Sequence, residues 1–131
     1  MLTKKFSLRP LESSDLKISS EVLFEQRENV FTIDYIFKGD VNHLLIPEKD
    51  MFSFERKDEL WRDTCLEFFI KDSHSGNYLE FNFSPQGYWN SYKFTDYREN
   101  METFHQVRLI DLNINKDNHF FKTKAHFLLE I

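Results

Sequence analysis

Cysteine occurs once in these 131 residues, and glycine and proline three times each. The single cysteine, Cys65, excludes an internal disulfide, which makes a cytoplasmic location the default expectation. No apolar run approaches the roughly 20 residues that cross a bilayer as a helix. The opening Met1-Leu2-Thr3-Lys4-Lys5-Phe6 lacks the apolar core of a signal peptide. No membrane association is therefore expected. Scarce glycine and proline leave the turns to Asn, Asp, Ser and Lys. Basic residues are also short: 17 Lys and Arg against 22 Asp and Glu give a formal charge of −5. A general nucleic-acid binder needs a basic patch to neutralise phosphates, so nucleic acid is not an expected partner.

What is abundant is aromatic: 15 Phe and 5 Tyr. Such residues suit pleated, half-buried surfaces. The length allows one domain with a real core, spanning residues 1–131. Strict alternation recurs along the chain. Phe6 and Leu8 share a face, as do Ile18, Ser20, Val22 and Phe24, and then Phe31, Ile33, Tyr35 and Phe37. A short apolar run covers 41–46. Segments 64–71 and 78–83 flank the turn-rich Asp72-Ser73-His74-Ser75-Gly76-Asn77, and Ser84-Pro85-Gln86-Gly87 leads into 88–94. Segments 106–114 and 119–131 complete eight or nine strands, with a weak signal for a helical turn in 95–105. The expected fold class is all-β, an antiparallel β-sandwich of jelly-roll type. The irregular, charged stretch 47–62 carries Met51, Phe52 and Phe54 and has the length of a functional loop. The sequence closes on an apolar strand, 125–131. This is equally what a strand docked inside a sheet and what a domain lacking its C-terminal strands would leave.

Chemistry concentrates between residues 61 and 101. Alternation puts Cys65, Glu67 and Phe69 on one face of their strand and Tyr78, Glu80 and Asn82 on one face of the next. Tyr88, Asn90, Tyr92 and Phe94 share a face of the third. If these strands are neighbours, with opposed residues about 5 Å apart, Glu67, Glu80, Asn82 and Asn90 form one polar patch walled by Tyr and Trp. Aromatic rings can cover the C–H face of a sugar while carboxylates and amides bind its hydroxyls. A solvated sheet face decorated with tyrosines would show the same pattern, and the pattern alone favours that plainer reading. Glu67, flanked by apolar neighbours, needs partners or a raised pKa.

Other constellations are weaker. Glu67 and Glu80 are candidates for the acid and base of a glycosidase, whose carboxyls lie roughly 5 to 9.5 Å apart. Cys65 has no adjacent His and reads as an inert thiol. The five histidines show no metal-ligand spacing, and no metal or cofactor is expected. Asp111-Leu112-Asn113-Ile114-Asn115-Lys116-Asp117 opens like a calcium loop but has Lys116 where the glycine belongs and Lys122 where the glutamate belongs. Asn82-Phe83-Ser84 matches a glycosylation acceptor.

Leu60-Trp61, Thr64-Cys65, Glu67-Phe68, Tyr78, Glu80-Phe81-Asn82, Ser84-Pro85, Gly87, Trp89, Tyr92, Phe94, Tyr97-Arg98 and Met101 together resemble the signature of bacterial DOMON-like proteins. These are similar to the family-nine carbohydrate-binding modules. The resemblance covers about a third of the chain. It implies a jelly-roll β-sandwich and a binding, non-catalytic role. In the sugar binders a tryptophan and a glutamate six residues later contribute to the ligand site, a spacing Trp61 and Glu67 reproduce. Asn82 and Arg98 are implied as further polar contacts. Those modules clamp the sugar with a second tryptophan nearer the C-terminus of a longer domain. The present chain has none there, and Trp89 is not its equivalent.

The leading expectation is thus a carbohydrate-type binding module using Trp61, Glu67, Glu80, Asn82 and Arg98. Haem binding, known in other DOMON domains, is an alternative, with Met51, Met101 and His105 as available ligands. Glycoside hydrolysis by Glu67 and Glu80 is another. The last is a protein-interaction module, a homodimer formed through the C-terminal strand.

Overall fold

The computed structural model describes residues 1–9, 15–48 and 54–130. Ten strands follow in chain order: β1 (Leu2–Ser7), β2 (Ile18–Arg27), β3 (Val30–Gly39), β4 (Glu55–Arg56), β5 (Leu66–Lys71), β6 (Tyr78–Phe83), β7 (Tyr88–Phe94), β8 (Glu102–Thr103), β9 (Val107–Lys116) and β10 (Phe120–Leu129). Two 310 turns, Val41–His43 and Leu60–Arg62, are the only helical elements among the described residues. No described helix is long and apolar enough to cross a membrane. The chain is all-β, with two sheets dominated by antiparallel pairing, as in a β-sandwich. It divides into two compact units, Met1–Ile46 with Arg108–Ile131, and Pro47–Val107.

The first unit holds a sheet in the order β1-β2-β3-β10-β9. Alternation builds it: on β10 the buried Phe121, Thr123, Ala125, Phe127 and Leu129 alternate with less buried side chains that include Lys122 and Lys124. Antiparallel register sets Phe127 opposite Phe31, Ala125 opposite Ile33 and Phe121 opposite Phe37. The Phe31 and Phe127 rings stack 5.5 Å apart. Packing of this kind, rather than backbone preference, holds a strand to one register. Gly39 ends β3 with φ +114°, and a Cβ there would collide with the Lys17 carbonyl oxygen, so only glycine fits.

The final strand is not an open edge. β10 lies between β3 and β9, leaving β1 and β9 at the sheet margins. Dimerisation through an unpaired C-terminal strand therefore loses its structural basis, because both neighbours of β10 are already in place. The 41–46 run forms a 310 turn at Val41–His43 instead of a strand. Acidic side chains make the tight turns, as the shortage of glycine requires. Asp117 Oδ1 accepts the N–H groups of His119 and Phe120 at 2.7 and 2.9 Å. The calcium-like stretch is accordingly the end of β9 and this turn.

The second unit holds a sheet in the order β4-β7-β6-β5, with β8 also on β7. β4 runs parallel to β7, the other pairings being antiparallel. Residues 95–105 form no helix: Glu99 N–H donates to the Asp96 carbonyl at 2.9 Å in a tight turn, and β8 follows. Within 47–62, residues 55–56 form β4 and 60–62 a 310 turn, while Met51 and Phe52 lie outside the described residues.

Candidate functional site

Register across β5, β6 and β7 arranges one face as a three-by-three grid. Glu67, Asn82 and Asn90 form the first row; Phe69, Glu80 and Tyr92 the second; Lys71, Tyr78 and Phe94 the third. The β5 column is exposed, Tyr78 and Glu80 are half-buried, and the β7 column is buried. The strands are thus neighbours, as the polar patch requires. The opposite face, with Leu66, Phe81, Phe83 and Trp89, belongs to the apolar core.

The buried column is held by a polar network. Tyr92 OH donates to Asp58 Oδ1 at 2.9 Å, and the Asn90 amide donates to the same oxygen at 3.0 Å. Arg56 Nη1 donates to Asn90 Oδ1 at 3.0 Å and to Ser91 Oγ at 3.1 Å. Ser91 Oγ donates to the Phe104 carbonyl at 2.8 Å. The Arg56 guanidinium lies 4.2 Å from the Trp89 ring centre, and burial pulls its pKa below the usual value. Burial and the hydrogen bond to Asp58 push the Tyr92 phenol well above its ordinary value. Asn90 is therefore engaged in scaffolding. Asp58 and Arg56 were not singled out from the sequence, since isolated charges in a charged loop carry no periodic signal.

Trp61 sits on the 310 turn that packs against β6 and β7. Its ring meets Tyr92 edge-on, 5.7 Å between centres at 65°. It remains 43% exposed, too open for a core tryptophan. Glu59, which precedes the turn, holds a left-handed φ of 63°. The structure therefore brings Trp61, through Tyr92, to the face that carries Glu67, Glu80 and Asn82, with Glu80 and Tyr92 in its middle row.

Two of these differ from expectation. Asn82 is fully buried rather than a surface contact, and neither of its amide atoms has a hydrogen-bond partner among the described residues. Buried amides are ordinarily paired, which makes this one exceptional. Its burial also puts the glycosylation acceptor motif out of reach. Glu67 is exposed, so the desolvated carboxylate is that of Glu80. Burial raises the Glu80 pKa first, and the nearby Glu67 charge raises it further. Glu67 and Glu80 stand on diagonal positions of adjacent strands, about 7–8 Å apart at the backbone. Beside them, burial pushes the Cys65 thiol up to about 12, so it stays protonated and unreactive at neutral pH.

Arg98 belongs to the other end. Its backbone N–H donates to Tyr78 OH at 2.9 Å, and its guanidinium lies 5.0 Å from the Tyr97 ring centre. It has a left-handed φ of 56°. Here Phe69, Lys71, Gly76, Tyr78, Asp96 and Tyr97 line a groove of about 330 Å³. Alternation places Phe69 and Tyr78 on this face, whereas the Tyr97 wall is set by the 95–99 turn, which alternation does not encode.

Among the described residues, no three His, Cys, Asp or Glu side chains group as a metal site. Met101 and His105 are exposed residues flanking β8, and Met51 lies outside the described residues. Compared with protein-family models, curated proteins and solved structures, the chain gives no match.

Proposed function

We propose that the β5–β6–β7 face is a binding surface for a carbohydrate-type ligand. The reading is carried by Trp61, a half-exposed ring held against Tyr92 on the face that bears the Glu67 and Glu80 carboxylates. Such a ring offers its surface to C–H groups at little entropic cost, while Glu67 and Glu80 accept hydroxyl hydrogen bonds. Asn82, buried beneath this surface, carries a donor and an acceptor with no partner among the described residues. Arg98 serves the opposite end of the same face.

Fluorescence titration with a broad saccharide panel tests the reading. Trp89 is only 7% exposed, so an emission change is expected to report on Trp61. Trp61→Ala is expected to abolish the change and the binding. A full-length protein that binds no saccharide in the panel excludes the proposal. The Glu67–Glu80 diagonal favours glycoside cleavage as a second reading, since a raised carboxyl suits a general acid. Turnover of aryl glycosides that disappears in Glu80→Gln would carry that reading in its place.

A further inference from the structure

The face has a second aromatic end that a single sugar at Trp61 leaves unused. Phe69 and Tyr97 are 52% and 71% exposed and flank the groove lined by Tyr78. Tyr78 is fixed by stacking on Phe94, 4.6 Å between centres at 8°, and by the hydrogen bond from Arg98. Gly76 closes against the facing turn, where a Cβ would stand 3.2 Å from Asp96 Oδ1 and 3.3 Å from the Thr95 carbonyl. Tyr78 and the Gly76 approach thus fix the floor of the groove.

It shares its sheet face with Trp61, whose turn packs on β6 and β7 and whose ring rests on Tyr92. Lys71 and Tyr78 are the third row of the grid whose first row is Glu67 and Asn82. Asn82 and Tyr78 stand four positions apart on β6, about 13 Å of strand. One pyranose ring cannot touch both ends, whereas a chain of rings spans them. The middle row repeats the chemistry of the ends, with the Phe69 ring beside the Glu80 carboxylate. Lys71, Glu80 and Asp96 interleave with the rings, which breaks up the contiguous apolar patch that a protein partner would favour.

Resting on the carbohydrate reading, we propose that the ligand is an oligosaccharide lying along β5 and β6. One unit packs against Trp61 and another occupies the Phe69–Tyr78–Tyr97 groove. The end units take the rings, and the unit between them meets Glu80.

The test is calorimetric titration of full-length wild type, Tyr97→Ala and Trp61→Ala with matched mono-, di-, tetra- and hexasaccharides of the β-1,4- and α-1,4-glucan series. Affinity is expected to rise about tenfold or more from mono- to tetrasaccharide, the gain of one further stacked unit. Tyr97→Ala should remove that gain and leave monosaccharide affinity unchanged, and Trp61→Ala should remove binding at every length. Tyr97 is exposed, so its loss should leave the fold intact, as an unchanged melting temperature would verify. Equal affinity at all lengths, or a length gain that survives Tyr97→Ala, overturns the extended site while leaving the sugar reading in place. Absence of binding at any length overturns both. Self-association abolished by Tyr97→Ala, together with length-independent sugar binding, would assign the groove to a protein contact instead.

Discussion

Glu80 occupies the centre of the grid, half-buried, with Phe69 on one side and Tyr92 on the other. Its ordinary pKa is 4.5, and burial with the Glu67 charge raises it in the folded chain. Well below 4.5 the group is neutral in both folded and unfolded states. As pH rises through the interval above 4.5, the unfolded chain ionises first while the folded carboxyl keeps its proton. Native stability is therefore lost across that interval and levels off above the raised value. Glu80→Gln removes this component. Melting temperatures of wild type and variant across that pH range are expected to diverge, with wild type falling relative to Glu80→Gln as pH rises. Parallel curves would show that Glu80 is as well solvated folded as unfolded. Alternation located this carboxylate but could not rank it against Glu67. Both sit in apolar strands, and only the strand order, with β5 at the margin and β6 inside, decides which is desolvated.

Among the elements, β4 and the Leu60–Arg62 turn owe their positions to Asp58, Arg56 and Tyr92 more than to strand pairing, since β4 has only two residues. Tyr92→Phe removes one of the two donors to Asp58 Oδ1, an exposed carboxylate that keeps the Asn90 amide. The expected cost is about 1 kcal/mol, measured by urea unfolding, with a shift in Trp61 emission as the ring beside it loses its hydroxyl anchor. No change in stability would mean that water replaces the phenol fully. β6 and β7 were legible to the residue, because alternation there is bounded by a turn-rich loop and by Ser84-Pro85-Gln86-Gly87. β4 and β8 were not. Two-residue strands have no period, and they exist only because β7 offers them an edge.

At the scale of the whole molecule, composition already pointed to an all-β chain, and the pairing of Phe31 with Phe127 explains why. A residue early in the chain meets one near its end, and no local pattern encodes that choice. The candidate face was legible as far as its three strands. Its two walls were not, because each is set by a turn. Both turns contain a non-glycine residue in the left-handed region: Glu59 two residues before Trp61 and Arg98 directly after Tyr97. A side chain in that conformation costs about 1 kcal/mol or more, and it persists only where the surroundings enforce it. The two aromatic walls are therefore mounted on preloaded hinges. Glycine at either hinge should relax it, so Glu59→Gly and Arg98→Gly are expected to hold or raise the melting temperature while loosening the adjacent ring. The looser ring should weaken saccharide binding at its own end, and tighter binding in either variant would mean that the walls must open before a ligand enters. A chain with three glycines has spent none of them here. It trades some backbone ease for the fixed spacing of two rings, and that spacing acts as a ruler for the length of whatever lies between them.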